Sequence, residues 1–133
     1  MKPQLIITFA DLAERPCGRY DYLEGQRFDA IKEIERQNYV VDDVSWLLRN
    51  CTKAQTPEVF AYYLSLEPDY DNTVNVLLKC EASHTPQMFN YFERVSKKMM
   101  LLIGKKIENL TKVSCRYLSM RHKSFICATA ANS

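Results

Sequence analysis

The chain has 133 residues, a formal net charge of +2, 47% hydrophobic and 26% charged residues, which amounts to one domain that is too rich in large apolar side chains to remain disordered. Its longest apolar run, Met99 to Ile103, is far too short to span a bilayer, and no continuous apolar stretch marks a secretory signal at the N-terminus, so a soluble, unsecreted protein is predicted. Three glycines and five prolines leave little for β-turns and argue against a sandwich or barrel; the expected class is all-α, as a short helical-hairpin repeat of the α-solenoid kind or an irregular helical bundle.

In chain order, residues 1–22 read as an N-terminal segment, with Pro16 and Gly18 as its break. Leu23, Phe28, Ile31 and Ile34 then predict an amphipathic helix ending near Asn38. Residues 23–120 form the expected helical-repeat domain and 121–133 a basic, small-residue tail. Within that domain two segments near 42–66 and 72–95 match by residue type. Asp43-Val44-Ser45-Trp46-Leu47-Leu48-Arg49-Asn50-Cys51 and Gln55-Thr56-Pro57-Glu58-Val59-Phe60 correspond to Thr73-Val74-Asn75-Val76-Leu77-Leu78-Lys79-Cys80 and His84-Thr85-Pro86-Gln87-Met88-Phe89. The Leu-Leu pairs lie 30 positions apart and the Thr-Pro pairs 29, a helix-pair repeat length with a one-residue slip.

Each half of the unit has a physical reason. Val44, Leu47, Leu48 and Cys51 fall at i, i+3, i+4 and i+7, and Val74, Leu77 and Leu78 give the second stripe. Asp42 or Asp43, and Asp71 or Asn72, are the expected N-caps. Thr-Pro opens the second helix of each unit: the Thr hydroxyl accepts from an orphan N–H, and Pro at the first helical position has no N–H to leave unpaired. Phe60 and Phe89 are both expected to face the core. Val113 to Leu118 is a weaker third match, with no Pro after it.

Five cysteines without a C-x-x-C pair, Cys17, Cys51, Cys80, Cys115 and Cys127, predict a reducing compartment and small buried hydrophobes rather than disulfides or zinc. Charge is unevenly spread: residues 95–133 carry eight basic groups and one acidic, residues 1–94 ten basic and fifteen acidic, which points to an anionic partner at one end. If the helix opening at Pro86 continues past Gly104, then Arg94, Lys98, Lys105, Lys112 and Arg116 share a stripe opposite Met88, Phe92, Val95, Met99 and Ile103. Arg121 and Lys123 extend the basic set, and Tyr117 with Arg121 could stack on or contact a strand. The apolar stripe is expected to be taken up by the repeat core, and the same lysines would equally solvate an exposed helix.

The order Leu-Leu-(Lys or Arg) with a nearby Cys, Thr-Pro-x-x-Phe-x-Tyr, followed by Ile107-Glu108-Asn109-Leu110-Thr111-Lys112-Val113-Ser114, resembles the helical-hairpin repeats of the octotricopeptide and FAST-kinase-like heptatricopeptide families over about residues 41–120. The resemblance implies a function in organellar RNA metabolism or translation: a mitochondrial scaffold subunit, of a ribosome or an RNA-processing complex, with protein neighbours on the repeat and RNA on the basic third. A small viral or bacterial protein that inhibits a host protein through exposed Tyr20, Tyr22, Tyr62 and Tyr63 is the other reading, with the cytoplasm as the other location. Gly18, Gly25 and Gly104 are isolated, so no phosphate loop is available. The acidic pairs stand at helix starts, and His84 is placed in a loop away from Cys80. No catalysis, cofactor, metal, membrane partner or small-molecule substrate is therefore expected.

Overall fold

The computed structural model describes the backbone of residues 2–117 and the side chains of residues 2–104. The protein is mostly helical, as its composition predicts. Its elements are β1 (Ile6–Ile7), β2 (Phe28–Asp29), α1 (Ala30–Glu35), α2 (Val40–Asn50), α3 (Pro57–Ser65), α4 (Tyr70–Lys79) and α5 (Pro86–Tyr117), with 3-10 turns at Phe9–Asp11, Gly18–Leu23, Thr52–Ala54 and Glu81–Ser83. The chain divides into a unit of Met1–Glu93 and a second beginning at Arg94.

The segment before Leu23 belongs to the core of the first unit, where Leu5, Ile7 and Tyr20 are buried with Ile31, Leu47 and Leu48. β1 pairs antiparallel with β2, Ile6 opposite Asp29 and Ile7 opposite Phe28, which pins the N-terminus beside α1. The helix predicted from Leu23 to Asn38 is therefore shorter: Leu23 closes a 3-10 turn and Phe28 is in the ladder, with Gly25 at φ 78° making the turn between them. Only Ala30–Glu35 remains α-helical.

The repeat is present and its spacing is uniform. α2, its 3-10 turn and α3 correspond to α4, its turn and α5 with a constant shift of 29, from Cys51 and Cys80 in extended conformation (φ −138° and −135°) to Thr56 and Thr85 as N-caps. The Val59 N–H donates to Thr56 Oγ1 at 3.3 Å and the Met88 N–H to Thr85 Oγ1 at 3.2 Å. Gln55 (φ −82°, ψ 65°) and His84 (φ −77°, ψ 71°) each centre an inverse γ-turn. Across it Thr56 N–H reaches Ala54 O and Thr85 N–H reaches Ser83 O. Their side chains do one further job. Gln55 Nε2 donates to Leu48 O at 2.9 Å, and His84 Nε2 lies 2.7 Å from Leu77 O, its equivalent.

With that register Leu48 matches Leu77 and Leu47 matches Val76; the one-residue slip does not exist. The second stripe is Thr73 and Val76, both fully buried, while Leu78 is 77% exposed at the position of Arg49. Phe89 is likewise 48% exposed although its counterpart Phe60 is buried. The third match, Val113 to Leu118, runs inside the unbroken α5 as far as Tyr117; Leu118 lies outside the described residues.

Caps on the first helices differ from expectation. Tyr39 precedes α2 without a side-chain cap, so Asp42 and Asp43 sit within its first turn, where they still face the positive end of the dipole. For α4 the cap is Asp69, whose carboxylate accepts from the Asn72 N–H at 2.8 Å, not Asp71 or Asn72. α3 is closed by Leu66 as its C-cap, with Glu67 in the left-handed region at φ 55° before Pro68. The Pro68 carbonyl then accepts from the buried Tyr91 hydroxyl at 2.6 Å, tying α5 to the link.

Of the described thiols, Cys51 and Cys80 fill equivalent buried positions and burial pushes both above the usual thiol range, whereas Cys17 is exposed, contrary to the expectation of burial. Native-state maleimide labelling with peptide mapping should modify Cys17 and leave Cys51 and Cys80 unmodified until denaturant is added. Equal labelling of all three would contradict this packing.

Candidate nucleic-acid interface

The basic stripe depends on one local question, whether Gly104 breaks the helix. A mid-helix glycine costs about 1 kcal/mol relative to alanine, yet α5 continues from Pro86 to Tyr117 over 32 residues, with flanking Leu102, Ile103, Lys105 and Lys106 compatible with helix. A Cβ added at Gly104 meets nothing within 4 Å, so nothing packed against it requires the glycine.

Continuity places Arg94, Lys98, Lys105, Lys112 and Arg116 at register positions within an arc of about 40°, over about 33 Å of helix axis. Arg94 and Lys98 are exposed, and the other three belong to the same helix by backbone. Arg121 and Lys123 lie outside the described residues. Tyr117 is the last described helical residue.

The apolar side of α5 departs from expectation. Met88 is fully buried, but Met100 (72% exposed), Leu101, Leu102 and Ile103 stand in solvent and are not taken up by the core. Of the stripe only Met88 belongs to the core cluster, and the four consecutive apolar residues 100–103 cover more than one face of a helix.

The aromatic residues proposed from sequence as exposed anchors are mostly inside. Tyr20, Tyr62 and Tyr63 are buried and only Tyr22 is exposed. Tyr20 donates its hydroxyl to the Asp43 carboxylate, which Arg19 also grips at 3.0 and 3.1 Å. Asp43, expected as a cap, thus holds the Gly18–Leu23 turn to α2, a role hidden in sequence by the 24-residue separation. Among the described residues no group of three or more His, Cys, Asp or Glu could hold a metal, and no helix is long and apolar enough to cross a membrane.

No family model, curated protein or solved structure matches the chain.

Proposed function

We propose that the protein is a non-enzymatic scaffold subunit of a ribonucleoprotein assembly, the repeat binding protein neighbours and the basic face of α5 lying along an RNA backbone. The observation that carries this reading is the unbroken passage of α5 through Gly104, because it gives five cations one face and a length that several phosphates can match. The organellar resemblance of the repeat favours a mitochondrial assembly. Cations spaced along a rigid helix bind single strands mainly by counterion release, so affinity falls with salt.

Changing Arg94, Lys98, Lys105, Lys112 and Arg116 to Glu should abolish association with RNA while far-ultraviolet circular dichroism keeps its helical signal. With the unaltered chain, four to five phosphate contacts imply a log–log salt slope of about −3 to −3.5. Recovery of the native protein from fractionated cells checks the location, and a purely cytosolic protein would remove the mitochondrial part alone.

A second reading, a binder of another protein, rests on the exposed Met100, Leu101, Leu102 and Ile103. It requires association that is insensitive to salt and is lost in Leu101→Glu. Crosslinking of the native protein separates the two by whether RNA or a protein is carried.

A further inference from the structure

The first unit contains a cavity of about 320 Å³ between the Gly18–Leu23 turn, the 3-10 turn at Phe9–Asp11, α1 and α2, at the lower end of the ~300–1,000 Å³ range of small-molecule sites. Four rings line it: Phe9, Tyr20, Phe28 and Trp46. Phe9 and Phe28 meet edge to face, centroids 5.9 Å apart, and the aliphatic Leu12, Leu23 and Ile34 also line the cavity. No residue of this pocket belongs to the basic face of α5.

The protein already places cations on these rings. The Arg15 guanidinium lies 5.7 Å from the Phe9 centroid and Arg19 lies 5.3 Å from that of Tyr20. Arg19 is spent on Asp43, and Glu33 is paired with Arg36 at 3.2 Å. Asp42 also lines the cavity and is exposed; it accepts a hydrogen bond only from the Asn72 amide, at 3.1 Å, and no cation pairs with it among the described residues. Arg49, the opposing cation of the wall, donates Nε to the Ser45 carbonyl at 3.2 Å. Residues 1–93 carry nine basic and fifteen acidic groups, a net of −6, so the surrounding field also favours a positive ligand.

We infer that this cavity binds a small organic cation, an alkyl or aromatic body seated among Phe9, Phe28 and Trp46 with its ammonium group at the mouth beside Asp42. Burial of the body among the rings supplies most of the affinity, and the Asp42 carboxylate at the mouth selects the charge. The ligand is a small molecule rather than a protein segment, since the volume admits one fused ring system or one medium alkyl chain.

Trp46 is the sole tryptophan of the chain, so its emission reports on the site in the full-length protein. Decyltrimethylammonium, decanol and decanoate, each kept below its micelle concentration, offer one body with three charges. The cation should give a saturable change at the lowest concentration, decanol a weaker one and decanoate the weakest. Asp42→Asn should weaken the cation about twofold to fivefold and leave decanol unchanged. Ala30→Leu and Leu12→Phe, two independent ways of filling the pocket, should each remove the response to all three probes with circular dichroism unchanged. Equal affinity for the three probes would overturn the choice of a cation. Absence of saturation with any probe, or binding that survives both filling variants, would overturn the site.

Discussion

Leu48→Ala should lower the unfolding free energy by about 3 kcal/mol or more, while Leu78→Ala should change it by no more than about 0.5 kcal/mol. Leu48 is fully buried on α2, a helix that packs on α1, α3 and α4, and its truncation leaves a void that a close-packed core closes only in part. Leu78 occupies the second position of the matching Leu-Leu pair yet is 77% exposed, so its truncation removes little buried area. Leu77→Ala, half-buried at the true counterpart of Leu48, should fall between them. For a chain of this size the Leu48→Ala change would lower the midpoint of thermal unfolding by on the order of 10 °C. Chemical denaturation of the three variants checks the register: a Leu78→Ala cost equal to that of Leu48→Ala would restore the 30-residue spacing and remove the uniform repeat.

That comparison also explains what could be read from sequence. Thr56 and Thr85 were legible as caps because their chemistry is local: a hydroxyl, a proline and the N–H groups of the next turn suffice. The paired leucines misled because neighbouring apolar residues are interchangeable on a 100° stripe, and only packing decides which of two points inward. A sequence signal for the right register did exist in Cys51 and Cys80, Thr56 and Thr85, all 29 apart, and in Gln55 and His84, whose unlike side chains perform one hydrogen-bonding task. The pairing of Ile6–Ile7 with Phe28–Asp29 and the grip of Arg19 and Tyr20 on Asp43 were not legible, since each joins residues more than 20 positions apart and no local periodicity encodes them. For the same reason the aromatic cavity escaped a reading based on helical stripes. The continuity of α5 through Gly104 needed only local helix propensity to foresee, since it joins no residues distant in sequence.

Alkaline unfolding should begin near pH 10 and be steep, because three phenols must lose protons that the folded state retains. Tyr20, Tyr62 and Tyr63 are all buried. Burial is the leading cause that raises each above the ordinary tyrosine range, with Asp43 adding to it for Tyr20 and Glu35 for Tyr62, which is pushed up to about 12. Above pH 10 the unfolded chain binds fewer protons than the folded one, so stability falls as pH rises, with a slope approaching one proton per buried phenol. Below pH 10 both states hold these protons and the phenols give no pH dependence. Tyrosinate absorbance and circular dichroism followed together should change in one transition for these groups. Tyr63 permits a sharper check, since among the described residues neither its hydroxyl nor Ser45 Oγ has a partner in hydrogen-bond geometry although both are buried. Tyr63→Phe keeps the ring and removes an unpaired hydroxyl, so it should be neutral or stabilising at pH 7 and should reduce the alkaline slope by about one proton. Tyr20→Phe instead loses a bond to a carboxylate and should cost about 1.5 kcal/mol at pH 7. If Tyr63→Phe proves the more costly of the two, the hydroxyl is bonded in solution and is not the unpaired buried group described above.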